Sequence, residues 1–211
     1  MNLPLRHLGH KFNCRPHRGS EQSAGLGWAR SKFLIGAFVA LLFAIGPAVS
    51  SAQSQADEYR LKAAFLFHFA QFVDWPADAS GNAGTPFVIC VVGEDPFHGD
   101  LEQLVKGKLI ATRPVQVRHI KQLQDGQGCH VVFVGKDESN IPARIFALRH
   151  APVLTVGESE DFLGQGGIIR LFVEDQKIRF DINQRAAETA NLKISSRLLL
   201  LARAVVESER R

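Results

Sequence analysis

Short apolar strands alternate with short helices between Phe87 and Val156, and this rhythm predicts an α/β fold. The expected architecture is one compact domain with a central, mostly parallel sheet, a C-terminal β-hairpin and flanking helices. Two further observations carry the prediction. The segment Phe87–Val92, FVICVV, is a near-continuous apolar strand of the kind covered on both faces. Ile168–Val173 and Lys177–Ile182 flank Glu174-Asp175-Gln176 as the arms of an antiparallel hairpin would.

The elements follow in order. Asp57–Val73 reads as a helix, with Asp57 and Glu58 at its positive end. Leu61, Phe65, Phe69 and Phe72 recur at helical spacing and form an expected buried stripe, which Ala63, Leu66, Phe67 and Ala70 widen. Pro76 ends the helix, because a proline disfavours helical geometry in the residue before it. Asp78–Pro86 is the loose connection to the first strand. Asp100–Lys106 suits a short helix, and Val115–Ile120 alternates as a less buried strand. Val131–Val134 is another internal strand, Ile141–Leu148 a helix with Ser139 and Asn140 as candidate caps, and Val153–Val156 the fourth strand. After the hairpin, Gln184–Val206 reads as a last helix with Leu198, Leu201 and Val205 on its apolar face. It is expected to break near Asn191–Ser195.

The N-terminus differs in kind. Residues 33–45 form an uncharged apolar run of 13 residues, short of the roughly 20 that a spanning helix needs. Six basic residues and a single acid, Glu21, precede it, and the small and polar stretch SSAQSQA follows Gly46 and Pro47. This is the pattern of a secretory signal. Residues 1–52 are therefore expected to be a signal peptide, cleaved after Ala52 in preference to Ser50 or Ala56, and residues 57–206 the exported domain. The alternative keeps 33–45 as an uncleaved membrane anchor. The leader also holds the basic excess. From Gln53 onward there are 19 Lys and Arg against 20 Asp and Glu, a net charge near −1. The formal +4 of the whole chain thus implies no nucleic-acid partner.

Cys14 lies in the leader, which leaves Cys90 and Cys129 in an oxidising compartment. A bridge between them and a pair of buried thiols are both compatible with the residues. No four-cysteine or HExxH pattern points to zinc, and no cofactor is implied. Gly164-Gln165-Gly166-Gly167 precedes a strand and lacks dinucleotide-binding spacing, so it reads as a tight turn or, with Gly166 and Gly167 at its centre, a small-ligand loop. Gly93-Glu94-Asp95-Pro96 follows the first strand, where ligands bind in open α/β sheets. Its acids would repel phosphate and suit an amine or a cation. His68, on the helix among phenylalanines, reads as structural. No serine elbow or paired-carboxylate arrangement is present, and the chain reads as no enzyme. Arg170, Lys177 and Arg179, interleaved with acids, mark either a solvated face or a binding edge.

Five blocks together resemble the YfiR-like family of periplasmic proteins. They are YRLKAAFLFHFAQFVDWP at Tyr59–Pro76, FVICVVGEDPF at Phe87–Phe97, CHVVFVG at Cys129–Gly135, VLTVGESEDFLGQGGIIRLF at Val153–Phe172, and KIRFDINQRAAETANLKISSRLLLLARAV at Lys177–Val205. The resemblance implies a periplasmic repressor. Such a protein binds the sensor domain of an inner-membrane diguanylate cyclase, lowers cyclic-di-GMP and restrains biofilm formation. It further implies sequestration by an outer-membrane lipoprotein, a tendency to homodimerise, sensitivity to redox state, and a bridge between Cys90 and Cys129. The second cysteine pair of some members has no counterpart here. Phe65, Phe67, Phe69 and Phe72 exceed what one buried stripe requires, so they are the candidate partner surface, with Arg170, Lys177 and Arg179 as its charged border. The competing reading is a small-ligand-binding accessory protein for another envelope sensor or transport system. It would use Gly93, Glu94 and Asp95 with Gly166 and Gly167 around one pocket.

Overall fold

Strand alternation divides the domain into two cores. The computed structural model describes residues 48–76, 84–122, 127–136 and 141–207. The expected leader therefore lies, up to residue 47, outside the described residues, as do the candidate caps Ser139 and Asn140. Contacts gather the described residues from Ser50 onward into one compact unit. Along β2 (Phe87–Val92), Phe87, Ile89 and Val91 face the larger core, while Cys90 and Val92 face the smaller one. In β5 (Val131–Val134), Val131 and Phe133 join the larger core, and Val132 and Val134 the smaller. A strand read as apolar on both faces is covered on both faces.

The remaining strands are β1 (Val73–Asp74), β3 (Leu109–Ile110), β4 (Arg113–Ile120), β6 (Leu154–Gly157), β7 (Ile169–Glu174), β8 (Lys177–Asn183), β9 (Lys193–Ile194) and β10 (Ala204–Val206). Among the described residues they make an eight-stranded sheet ordered β10-β8-β7-β6-β5-β2-β4-β3 and a separate β1-β9 pair. Neighbours from β4 through β2, β5 and β6 to β7 run parallel. The β7-β8 hairpin is antiparallel, and β10 returns parallel to β8. The expected fold class is the observed one. The hairpin turns through Asp175 and Gln176, both with positive φ (49° and 59°), as a tight two-residue connection demands.

Helix α1 (Ala48–Gln71) begins nine residues before the expected Asp57. Asp57 and Glu58 are consequently inside the helix and not at its positive end. Asp57 pairs with Arg60 at 3.6 Å, and Glu58 with Lys62. The buried stripe is centred on Ala63, Leu66, Phe67 and Ala70, an i, i+3, i+4, i+7 set, and Phe69 is buried beside it. Leu61, expected inside, is 50% exposed because it falls on the far side of that stripe. The Trp75 indole N–H donates to the Ala70 carbonyl at 3.1 Å, satisfying one acceptor at the helix end.

Helix α2 (Asp100–Val105) supplies Leu101 and Val105 to the larger core, and α3 (Ile141–Leu148) packs Ile145 into the smaller. The expected last helix is broken, as its weak middle suggests, into α4 (Gln184–Thr189) and α5 (Ser196–Leu201). The Asn183 and Ser195 side chains cap them by accepting from Ala186 N and Leu198 N, at 3.0 and 3.3 Å. Residues expected to continue the helix instead form β10. Leu198 is buried, while Leu201 (69% exposed) and Val205 (41%) are not, so the expected apolar face is corrected to Leu198 alone of the three.

Candidate partner-binding surface

The four phenylalanines of α1 do not make a free patch. Phe67 and Phe69 belong to the core, at 6% and 1% exposure, and Phe65 and Phe72 are half-buried against it. The rings of Phe65 and Phe69 meet Phe180 of β8 at centroid distances of 6.0 and 5.0 Å. The Phe72 carbonyl accepts from Ser195 N at 2.9 Å, which ties the end of α1 to the α4–α5 connection. The extra aromatic surface is taken up within the larger core, where Phe65 and Phe69 meet Phe180 of β8 beside the main stripe. His68, expected among these rings as a structural residue, is exposed and contacts Gln71 at 3.2 Å.

The hairpin keeps its charge on the surface. Lys177 and Arg179 are exposed, and Arg170 is half-buried with its Nη1 3.9 Å from Asp181. Sequence reasoning missed the residue that organises this face, Arg203. Its guanidinium donates to both oxygens of Asp181, at 2.9 and 2.5 Å, and to Glu174 at 2.8 Å. These bonds, Asp181 first and Glu174 second, raise Arg203 above the ordinary arginine value. Arg170 and Arg203 both lie over the Phe172 ring, at 4.7 and 4.2 Å from its centroid. The result is a fixed aromatic–guanidinium platform on the outer face of the hairpin.

Beside that platform lies exposed apolar surface. Leu200 (84%), Leu201, Val205 and Val206 are all exposed within seven consecutive residues. A six-residue helix reading SRLLLL can turn only one side inward, and Leu198 takes it. Among the described residues β10 pairs only with β8, which leaves its outer edge open at the end of the sheet. The signal was available in the run LLLLARAVV, which holds more large apolar residues than the short helix can bury.

The two candidate ligand turns lie apart on the sheet. β5 and β6 lie between β2 and β7, which puts three strand spacings, about 14 Å, between the turns across the sheet. Gly167 and Gly157 grip the Phe162 ring from two sides, and a Cβ on either would come within 2.2 Å of it. Close packing alone accounts for glycine at 167; Gly166 has φ 93° and serves the turn itself. Gly93 (φ 77°) and Glu94 are exposed, while Asp95 accepts from Phe97 N and Gly99 N at 2.9 and 3.3 Å and holds the turn after β2.

Two internal features tie distant parts of this scaffold together. Cys90 and Cys129 are joined by a disulfide with Cα atoms 5.8 Å apart, inside the smaller core. Lys62 is fully buried and bonds to Glu58 and Glu158. Glu158 also accepts from the Tyr59 hydroxyl at 3.1 Å. No helix among the described residues is long and apolar enough to cross a membrane.

A family model described as YfiR/HmsC-like matches residues 59–203, more than half of the chain. That family is regulatory rather than catalytic, and it suggests a periplasmic regulator of diguanylate cyclase signalling. No curated protein matches the chain. The match runs from Tyr59, on the buried polar cluster, to Arg203, on the hairpin platform, and through it the chain belongs to the YfiR/HmsC-like family.

Proposed function

We propose that the chain is exported, loses residues 1–52, and acts in the periplasm as a repressor of an inner-membrane diguanylate cyclase. It does so by binding the cyclase's sensor domain through the C-terminal edge: α5, β10 and the adjoining face of the hairpin. The observation that carries this reading is the exposed set Leu200 and Leu201 on α5 with Val205 and Val206 on the edge strand β10, next to Arg203 and the charged hairpin that carries Arg179 and Lys177. Large apolar residues left exposed near one another beside charged groups are a frequent mark of a protein-binding site. An open strand edge can add backbone hydrogen bonds to that contact.

Repression needs only that this surface bind the inactive state of the sensor better than the active one. A shift from mostly active to mostly inactive takes on the order of 10⁴-fold preference. The disulfide and the buried Lys62 cluster would contribute by holding the edge in one shape. An outer-membrane lipoprotein that sequesters the protein, or a second copy of the chain, would compete for the surface if it docks there.

Binding of Leu200→Glu/Val205→Glu protein to the periplasmic domain of a membrane diguanylate cyclase from the same cell tests the surface. The proposal expects an affinity loss of about 100-fold or more, since central apolar contacts carry most binding energy. Lys177→Glu/Arg179→Glu is expected to slow association and to weaken its salt dependence. Wild-type affinity in the first variant would remove the C-terminal edge from consideration.

A further inference from the structure

We propose that Asp95, Glu102 and His119 form a binding site for a divalent transition-metal cation of the zinc class. The site is separate from the partner surface and goes beyond the proposed regulatory function. The three residues come from three elements: the turn after β2, helix α2, and β4, where His119 lies beside Val91 of β2. One ligand atom from each lies within 4.8 Å of the others. Four ligands around zinc at about 2.0–2.2 Å sit roughly 3.3 Å apart, so relative side-chain movement of up to about 1.5 Å forms the site.

Each group retains the capacity to bind. Asp95 uses its two oxygens to accept one backbone N–H apiece, which leaves a lone pair on each for a cation. His119 Nε2 and Glu102 Oε1 are in contact at 2.5 Å, so an imidazole and a carboxylate already converge on one point. The second oxygen of Glu102, Oε2, has no hydrogen-bond partner among the described residues, and the Glu102 and His119 side chains are 40% and 45% exposed, so an ion can reach the cluster from solvent. A cation between these groups would replace the mutual hydrogen bond with two coordinate bonds and offset the repulsion between two carboxylates.

The donor set selects the class of ion. One imidazole with two carboxylates suits a borderline ion such as Zn²⁺, and three protein ligands leave the remaining positions to water. Magnesium and calcium prefer sites built from oxygen alone. Such an ion would pin the turn after β2 to α2 and to β4, at the end of the sheet where α/β proteins hold ligands.

The test uses the protein as recovered from cells, stripped with chelator, and zinc chloride alone as the probe. Calorimetric titration and thermal melting would compare it with Asp95→Asn, Glu102→Gln and His119→Asn, each checked for folding by circular dichroism. Asparagine at 95 keeps an acceptor for Phe97 N, so the turn survives. The expected result is one zinc per chain, a raised melting temperature, and an affinity loss of at least about tenfold in each variant. Magnesium at the same concentration is expected to leave the melting temperature unchanged. Equal zinc affinity in wild type and all three variants, or binding abolished instead by replacing the exposed His68, His98 or His150, would overturn the site.

Discussion

Replacing Lys62 with methionine is expected to destabilise the domain by about 3–5 kcal/mol, because it strands a buried carboxylate. The Lys62 and Glu158 side chains are both 0% exposed, and Lys62 also bonds to Glu58, which is 26% exposed. Without the ammonium, Glu158 keeps only the Tyr59 hydroxyl as a side-chain partner in this cluster. A denaturant dependence near 2 kcal/mol per molar urea converts the loss to a fall of about 1.5–2.5 M in the unfolding midpoint. That is a large share of the roughly 5–15 kcal/mol available to a domain. The double variant Lys62→Met/Glu158→Gln should recover a substantial part, since glutamine removes the stranded charge and still accepts from Tyr59. Urea unfolding of the oxidised proteins gives the cycle directly. A midpoint shift below about 0.5 M for Lys62→Met would mean the pair behaves like an exposed one, worth about 0–1 kcal/mol, and would refute the argument.

Gly167→Ala should lower the melting temperature by about 4–10 °C, because the new Cβ would lie 2.2 Å from the Phe162 ring and Gly157 blocks the ring's retreat. Gly164→Ala, whose Cβ would lie 3.4 Å from its nearest neighbour, should change it little, and Phe162→Leu should partly rescue Gly167→Ala. Cys90→Ala/Cys129→Ala should lose about 2–4 kcal/mol in urea unfolding, since the bridge closes a 39-residue separation. A loss below 1 kcal/mol would assign the bridge little part in holding the native fold.

The sheet was legible because its signal is local. Phe87–Val92 and Val131–Val134 announce two-sided burial in their own residues, and both strands begin and end where the sequence places them. The last helix broke where Asn191–Ser195 weakens it, yet the strand Ala204–Val206 was hidden: a leucine run continues helical spacing on paper while the chain has already left the helix. The phenylalanine surface of α1 misled for a different reason. Helical periodicity predicts a narrow stripe, and the core around α1 is wider, with Phe180 of β8 taking up the extra rings. Lys62 and the Gly157–Phe162–Gly167 sandwich depend on groups brought together only by the fold, across 96 residues for the Lys62–Glu158 pair. Arg203 likewise reaches Glu174 across 29 residues, so no local pattern marks it as the centre of the hairpin face.

Cellular cyclic-di-GMP tests the central claim most directly, measured with the gene present, deleted, and replaced by an exported Leu200→Glu/Val205→Glu form. Repression through the C-terminal edge predicts a rise on deletion that the exported wild type reverses and the folded, exported variant does not. Unchanged cyclic-di-GMP on deletion, with the cyclase shown active and the protein present in the envelope, would contradict repression. Full reversal by the variant would keep repression and contradict the assigned surface.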